Sequence, residues 1–105
     1  MNLIKLDWDS ISYCVAVKRI EKIIEQSKII YADLFSSPSG DGFHVYIYTL
    51  EKLDALQFRQ KWKDDGKRII TDILKPDNAP KDVLFQWKYI NGKKYESEFM
   101  KRFAS

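Results

Sequence analysis

From Leu3 to Asp9 apolar and polar side chains alternate without a break, and directly afterwards the apolar spacing becomes that of a helix. Ile4, Leu6 and Trp8 fall on one side of the alternation, Lys5, Asp7 and Asp9 on the other. A period of two makes this segment a strand with one face to be buried. Val15, Val17, Ile20, Ile23 and Ile24 then recur between Lys18, Arg19, Glu21 and Lys22. That spacing predicts an amphipathic helix from Tyr13 to about Gln26, with Ser10 or Ser12 as its cap. A half-buried strand leading straight into a one-sided helix commits the chain to a layered α+β architecture.

The remaining punctuation continues the pattern. Lys28 to Phe35 reads as a strand, Ser36 to Gly42 as a turn, and Phe43 to Leu50 as a strand of strong β propensity. Lys52 to Asp65 reads as a second helix closed by Gly66, Arg68 to Leu74 as a short strand, and Lys75 to Pro80 as a polar loop. Asp82 to Ile90 and Lys93 to Phe99 form a closing strand pair around Asn91-Gly92, a tight-turn dipeptide. The order β-α-β-β-α-β predicts a ferredoxin-like or RNA-recognition-like antiparallel sheet with two helices on one face, plus a C-terminal β-hairpin. All 105 residues make a single domain, a core over 1–75 with the strand pair of 81–100 packed on it.

Composition sets the bounds. The chain is 45% hydrophobic and 14% aromatic, enough for a packed interior. Its net charge of +3 is compatible with nucleic acid but does not require it. One cysteine, Cys14, and one histidine exclude an internal disulfide and a protein-only zinc site. No apolar run suits a membrane span or a secretion signal, which predicts a cytoplasmic protein without membrane association.

In the predicted topology the first strand is central, and its end lies beside the starts of the third and fourth strands. Alternation then turns Asp7, Asp9, His44 and Asp72 outward together, with Tyr46 and Tyr48 on the same face. Carboxylates held this close either titrate at raised pH or recruit a hard cation, Mg²⁺ or Mn²⁺. Such ions serve phosphoryl and nucleotidyl transfer. The turn Ser37-Pro38-Ser39-Gly40-Asp41-Gly42 offers N–H groups and hydroxyls to phosphate oxygens, His44 a further hydrogen bond, and Lys75 and Lys88 positive charge.

Leu6-Asp7-Trp8-Asp9, the Ser37 to His44 segment and Thr71-Asp72 together resemble the three motifs of the archaeo-eukaryotic primase superfamily, in particular its small plasmid and viral primase-polymerases. The resemblance implies metal-dependent nucleotidyl transfer from nucleoside triphosphates on a single-stranded nucleic-acid template, or a nucleotide-binding remnant of that activity. It implies Asp7, Asp9 and Asp72 as catalytic metal ligands, with Asp77 and Asp82 as competitors for the third place, and Ser39 and His44 as phosphate contacts. Members of the superfamily usually carry a further α/β module. A homodimer or partner chain would then complete the site.

Other readings stand beside this one. Asp7 and Asp9 also suit a solvated strand end, and Ser37 to Gly42 an ordinary hairpin loop. Tyr31, Tyr46 and Tyr48 would let a non-catalytic RNA-recognition-like module stack single-stranded bases. A small dimeric interaction protein of a mobile element would instead expose apolar residues between Phe85 and Phe99.

Overall fold

Alternation and helical spacing are realised where the sequence has them most clearly. The computed structural model describes residues 1–104. β1 (Asn2–Asp9) leads into α1 (Tyr13–Gln26), followed by β2 (Tyr31–Ser36) and β3 (Gly42–Thr49). Two short helices come next, α2 (Ala55–Lys61) and α3 (Gly66–Leu74). The chain closes with β4 (Trp87–Ile90), β5 (Lys93–Glu96) and β6 (Phe99–Ala104). Ser12 caps α1, its side chain accepting from the Val15 N–H at 3.2 Å. The main sheet is antiparallel with strand order β1-β3-β2-β6, and β4 and β5 form a separate two-stranded ribbon.

The core lies on the helix-covered face. Ile4, Leu6 and Trp8 of β1, Val45 and Ile47 of β3 and Ala32 and Leu34 of β2 meet Ala16, Ile20 and Ile23 of α1. Phe58 and Trp62, from α2 and its end, join the same cluster. The opposite face carries Lys5, Asp7, His44, Tyr46, Tyr48, Tyr31, Asp33 and Phe35, as the register dictates.

The expected fourth strand is not there. Arg68 to Leu74 belongs to α3, which Asp65 starts by accepting from the Lys67 N–H at 2.8 Å. Gly66 therefore opens a helix instead of closing one. The β-branched run Ile69-Ile70-Thr71 favours a strand locally, but the cap at Asp65 and the position of α3 against β1 override it.

β1 is consequently an edge strand, not a central one, and β2 gains β6 as its second neighbour. Four backbone groups of β1 would be orphaned on that edge, yet side chains and loop backbone satisfy them. The Lys5 N–H donates to Asp82 Oδ2 and the Asp7 N–H to Asp64 Oδ1, each at 2.8 Å. The Lys5 carbonyl accepts from Arg68 Nη1 at 3.3 Å, and the Asp7 carbonyl from the Asp65 N–H at 3.1 Å. An unprotected edge would invite another strand, and this one is closed by α3 and its flanks.

Those flanks are held by a buried ionic network. Arg59, 2% exposed, donates to Asp64 Oδ2 at 2.7 Å and to Asp72 Oδ2 at 2.6 Å. Arg68 bridges Asp64 and Asp82, and Lys75 lies 3.3 Å from Asp72. Among the described residues no helix is long and apolar enough to cross a membrane.

Candidate metal and phosphate site

Register brings the first two sequence motifs together. Asp7 pairs with His44 and Asp9 with Gly42 across β1 and β3. A Cβ on Gly42 would lie 2.2 Å from the Trp8 carbonyl oxygen, so only glycine lets β3 start this close to β1. The turn before it closes on itself. The Gly40 N–H donates to the Ser37 carbonyl at 2.9 Å, and the Gly42 N–H to Ser37 Oγ at 3.1 Å. Gly40 adopts φ +75°, which suits a residue without Cβ. Ser37 Oγ and Ser39 Oγ lie 3.1 Å apart.

Beside this turn is a cleft of about 460 Å³. Asp7, Asp9 and His44 lie on its sheet side, Ser37 and Ser39 at the turn, and Arg68 on the α3 side. Val83, Leu84, Phe85, Trp87 and Lys88 complete it. The segment leading into the β4–β5 ribbon thus forms one wall of this cleft.

Three carboxylates converge here. Asp7, Asp9 and Asp65 each place an oxygen within 4.8 Å of the others. Burial, then the charges of Asp9 and Asp65, push the Asp7 carboxyl from 3.8 up to about 7. Asp9 is raised too, by burial and by Asp65. Asp7 Oδ1 is buried and has no hydrogen-bond partner, the nearest cationic candidate being His44 Nε2 at 3.6 Å. An unsatisfied carboxylate oxygen among other carboxylates fits a hard divalent cation, which takes oxygen ligands and removes the mutual repulsion.

His44 is held neutral, its pKa lowered by burial and only partly restored by Gln86. Its Nδ1 lies 3.2 Å from Gln86 Oε1, which also accepts from Ser97 Oγ. With that oxygen as acceptor, Nδ1 carries the proton, and Nε2 is left as an acceptor on the Asp7 side.

Of the residues singled out in the sequence, Asp7, Asp9, Ser37, Ser39, His44 and Lys88 line this cleft. Asp72 does not join the carboxylate cluster. It is spent on Arg59, on Lys75 and on the Asp82 N–H. Lys75 faces Asp72 and the Pro80 carbonyl, away from the cleft. Gly40 and Gly42 shape the turn and the strand approach. Asp77 is exposed, and Asp82 is committed to Arg68 and the edge of β1. Tyr31 and Tyr48 pair at 4.5 Å between ring centroids, Tyr46 pairs with Phe35 at 5.2 Å, and Arg102 covers Tyr31 at 4.0 Å.

Asp65 and Arg68 are the additions. Asp65 stands immediately before Gly66, where its side chain caps α3. Comparison with protein-family models, curated proteins and solved structures finds no match to this chain.

Proposed function

We propose that the cleft binds a divalent cation together with the phosphates of a nucleoside triphosphate, and that the chemistry it serves is nucleotidyl transfer. The observation that carries this reading is the buried, unpartnered Asp7 Oδ1 within the Asp7–Asp9–Asp65 cluster. In it, Asp7, Asp9 and Asp65 hold Mg²⁺ or Mn²⁺. The ion would neutralise phosphate charge and orient the attacking and leaving oxygens. Ser37 and Ser39 offer hydroxyls to phosphate oxygens, and Arg68 and Lys88 offer positive charge on the facing side. His44, neutral and fixed by Gln86, presents Nε2 as a hydrogen-bond acceptor. The likeness of the Asp7–Asp9 and Ser37–His44 motifs to primase-polymerases supports the same chemistry, with Asp65 in the place assigned to Asp72.

Base stacking on the open sheet face has less support, because Tyr31, Tyr46 and Tyr48 are already engaged in ring pairs. The test is Mn²⁺-dependent binding and incorporation of a labelled nucleotide by the native chain and by Asp7→Asn/Asp9→Asn. Both should be lost in the double variant. Binding without incorporation in the native chain would identify a nucleotide-binding protein that does not catalyse. Metal-independent binding that survives the double substitution would refute the metal site.

A further inference from the structure

We propose that the cleft between α1 and the end of α2 binds a compact oligophosphate, a small ligand carrying two or more linked phosphate groups. The cleft lies on the helix-covered side of the sheet, where Arg19 sits 4.7 Å over the Trp8 ring. It shares no lining residue with the metal cleft and stands independently of it.

Val15, Lys18, Arg19 and Lys22 are spaced i, i+3, i+4 and i+7, so α1 turns them to one side. Lys61, Trp62 and Lys63 face them from the end of α2, across a space of about 300 Å³. Five cations thus share one cleft with apolar Val15 and Trp62, and no carboxylate lines it. Four other clefts of the molecule each include at least one aspartate or glutamate. Among the described residues, none of the five cations has a carboxylate oxygen within 4.0 Å. Nearby acids are engaged elsewhere. Asp64 binds Arg59 and Arg68, and Asp65 caps α3. Glu21 lines a different hollow with Lys101 and Arg102, and Glu25 stands outside the lining.

Two features of this cleft cost stability in the unliganded chain. Lys18 and Lys22 are like charges at i, i+4, an unfavourable pair on a helix. Lys63 ends α2 in a Schellman turn, where the Asp64 N–H donates to the Arg59 carbonyl at 2.9 Å and the Lys63 N–H to the Gln60 carbonyl at 3.3 Å. Its φ of 61° is the left-handed conformation that glycine adopts most easily. A lysine in the place of that glycine brings the fifth cation to the cleft. Trp62 adds a buried indole N–H without a hydrogen-bond partner.

Phosphate suits this set of donors. Each group concentrates negative charge and acceptor oxygens in a small volume, and lysine binds it as a point charge. A space at the low end for small-molecule sites favours a compact ligand over a length of chain.

The test is calorimetric titration of the full chain with inorganic tripolyphosphate at low salt in EDTA, which keeps cations off the acidic cluster. Lys18→Gln/Lys22→Gln should weaken binding about tenfold or more. Lys63→Gly should also weaken it, yet leave the thermal midpoint unchanged or raised by up to roughly 5 °C, so that unfolding cannot account for the loss. Unchanged affinity in both variants would overturn the proposal, as would equal affinity for citrate. Loss in Lys88→Gln with retention in the α1 variant would move the phosphates to the metal cleft and overturn it too. Tighter binding of an oligodeoxythymidylate or of polyglutamate, lost in the same variants, would overturn the compact ligand and assign the cleft to an anionic chain.

Discussion

Asp7 concentrates the cost of the site in one residue. Its carboxyl titrates near 7 because ionisation in the folded chain must overcome burial and two neighbouring carboxylates. A folded pKa above the unfolded value of 3.8 means that the folded chain binds the proton more tightly. Ionising Asp7 therefore removes stability as pH rises from about 4 to about 7, with no further change above. Asp7→Asn keeps the shape and drops the charge. Its thermal stability should match the native chain at low pH and exceed it by on the order of 2 kcal/mol at pH 8, after discount for solvent screening. Mn²⁺ should narrow that gap by stabilising only the native chain, and its affinity should fall by up to about tenfold per pH unit below 7. Equal pH profiles for the two proteins in the absence of metal would contradict the shift. Asp7 and Asp9 were legible as candidates because alternation alone puts them on one face. Asp65 was not, since its approach depends on how the chain returns after α2.

At the level of elements, α3 does the work of the absent fourth strand without its backbone ladder. A strand would have met the edge of β1 with a row of N–H and C=O groups. Here Asp64, Asp65, Arg68 and Asp82 supply the equivalent bonds. Arg59 holds Asp64 and Asp72 in place from below. Arg59→Met would leave those carboxylates buried with too little compensating charge. It should cost about 3–5 kcal/mol, measured by urea denaturation at neutral pH. A loss below about 1 kcal/mol would show that the network is dispensable, as some buried ion networks are. This also explains why Arg68 to Leu74 misled as a strand. Ile70, Ile73 and Leu74 are 59%, 56% and 79% exposed, and the helix turns Ile69 and Asp72 inward instead. The apolar residues that suggested a buried strand are mostly at the surface, and the polar one is in the interior.

Across the whole molecule, order is distributed unevenly. β3 lies between β1 and β2 with its inward residues in the core, whereas β4 and β5 pair only with each other. Native-state amide exchange should therefore rank β3 slowest, through near-global opening, and β4–β5 among the fastest of the strands. Protection of the ribbon equal to that of β3 would mean that it packs more firmly than its exposure implies.

The sequence by itself determined the local elements and the company they keep across short distances. Alternation gave β1 its two faces, helical spacing gave α1, Asn91-Gly92 gave the ribbon its turn with both residues at positive φ, and Gly42 gave β3 its close start. The pairing of Asp7 with His44 followed from these. Only the tertiary structure decided that β1 is an edge, that 66–74 is helical, and that Asp65 rather than Asp72 completes the acidic cluster. The physical reason is the same in each case. Periodicity is a property of neighbours in sequence. The covering of β1's open edge depends on Arg59, Asp64, Asp72 and Asp82 meeting from separate segments, and no local pattern encodes that meeting.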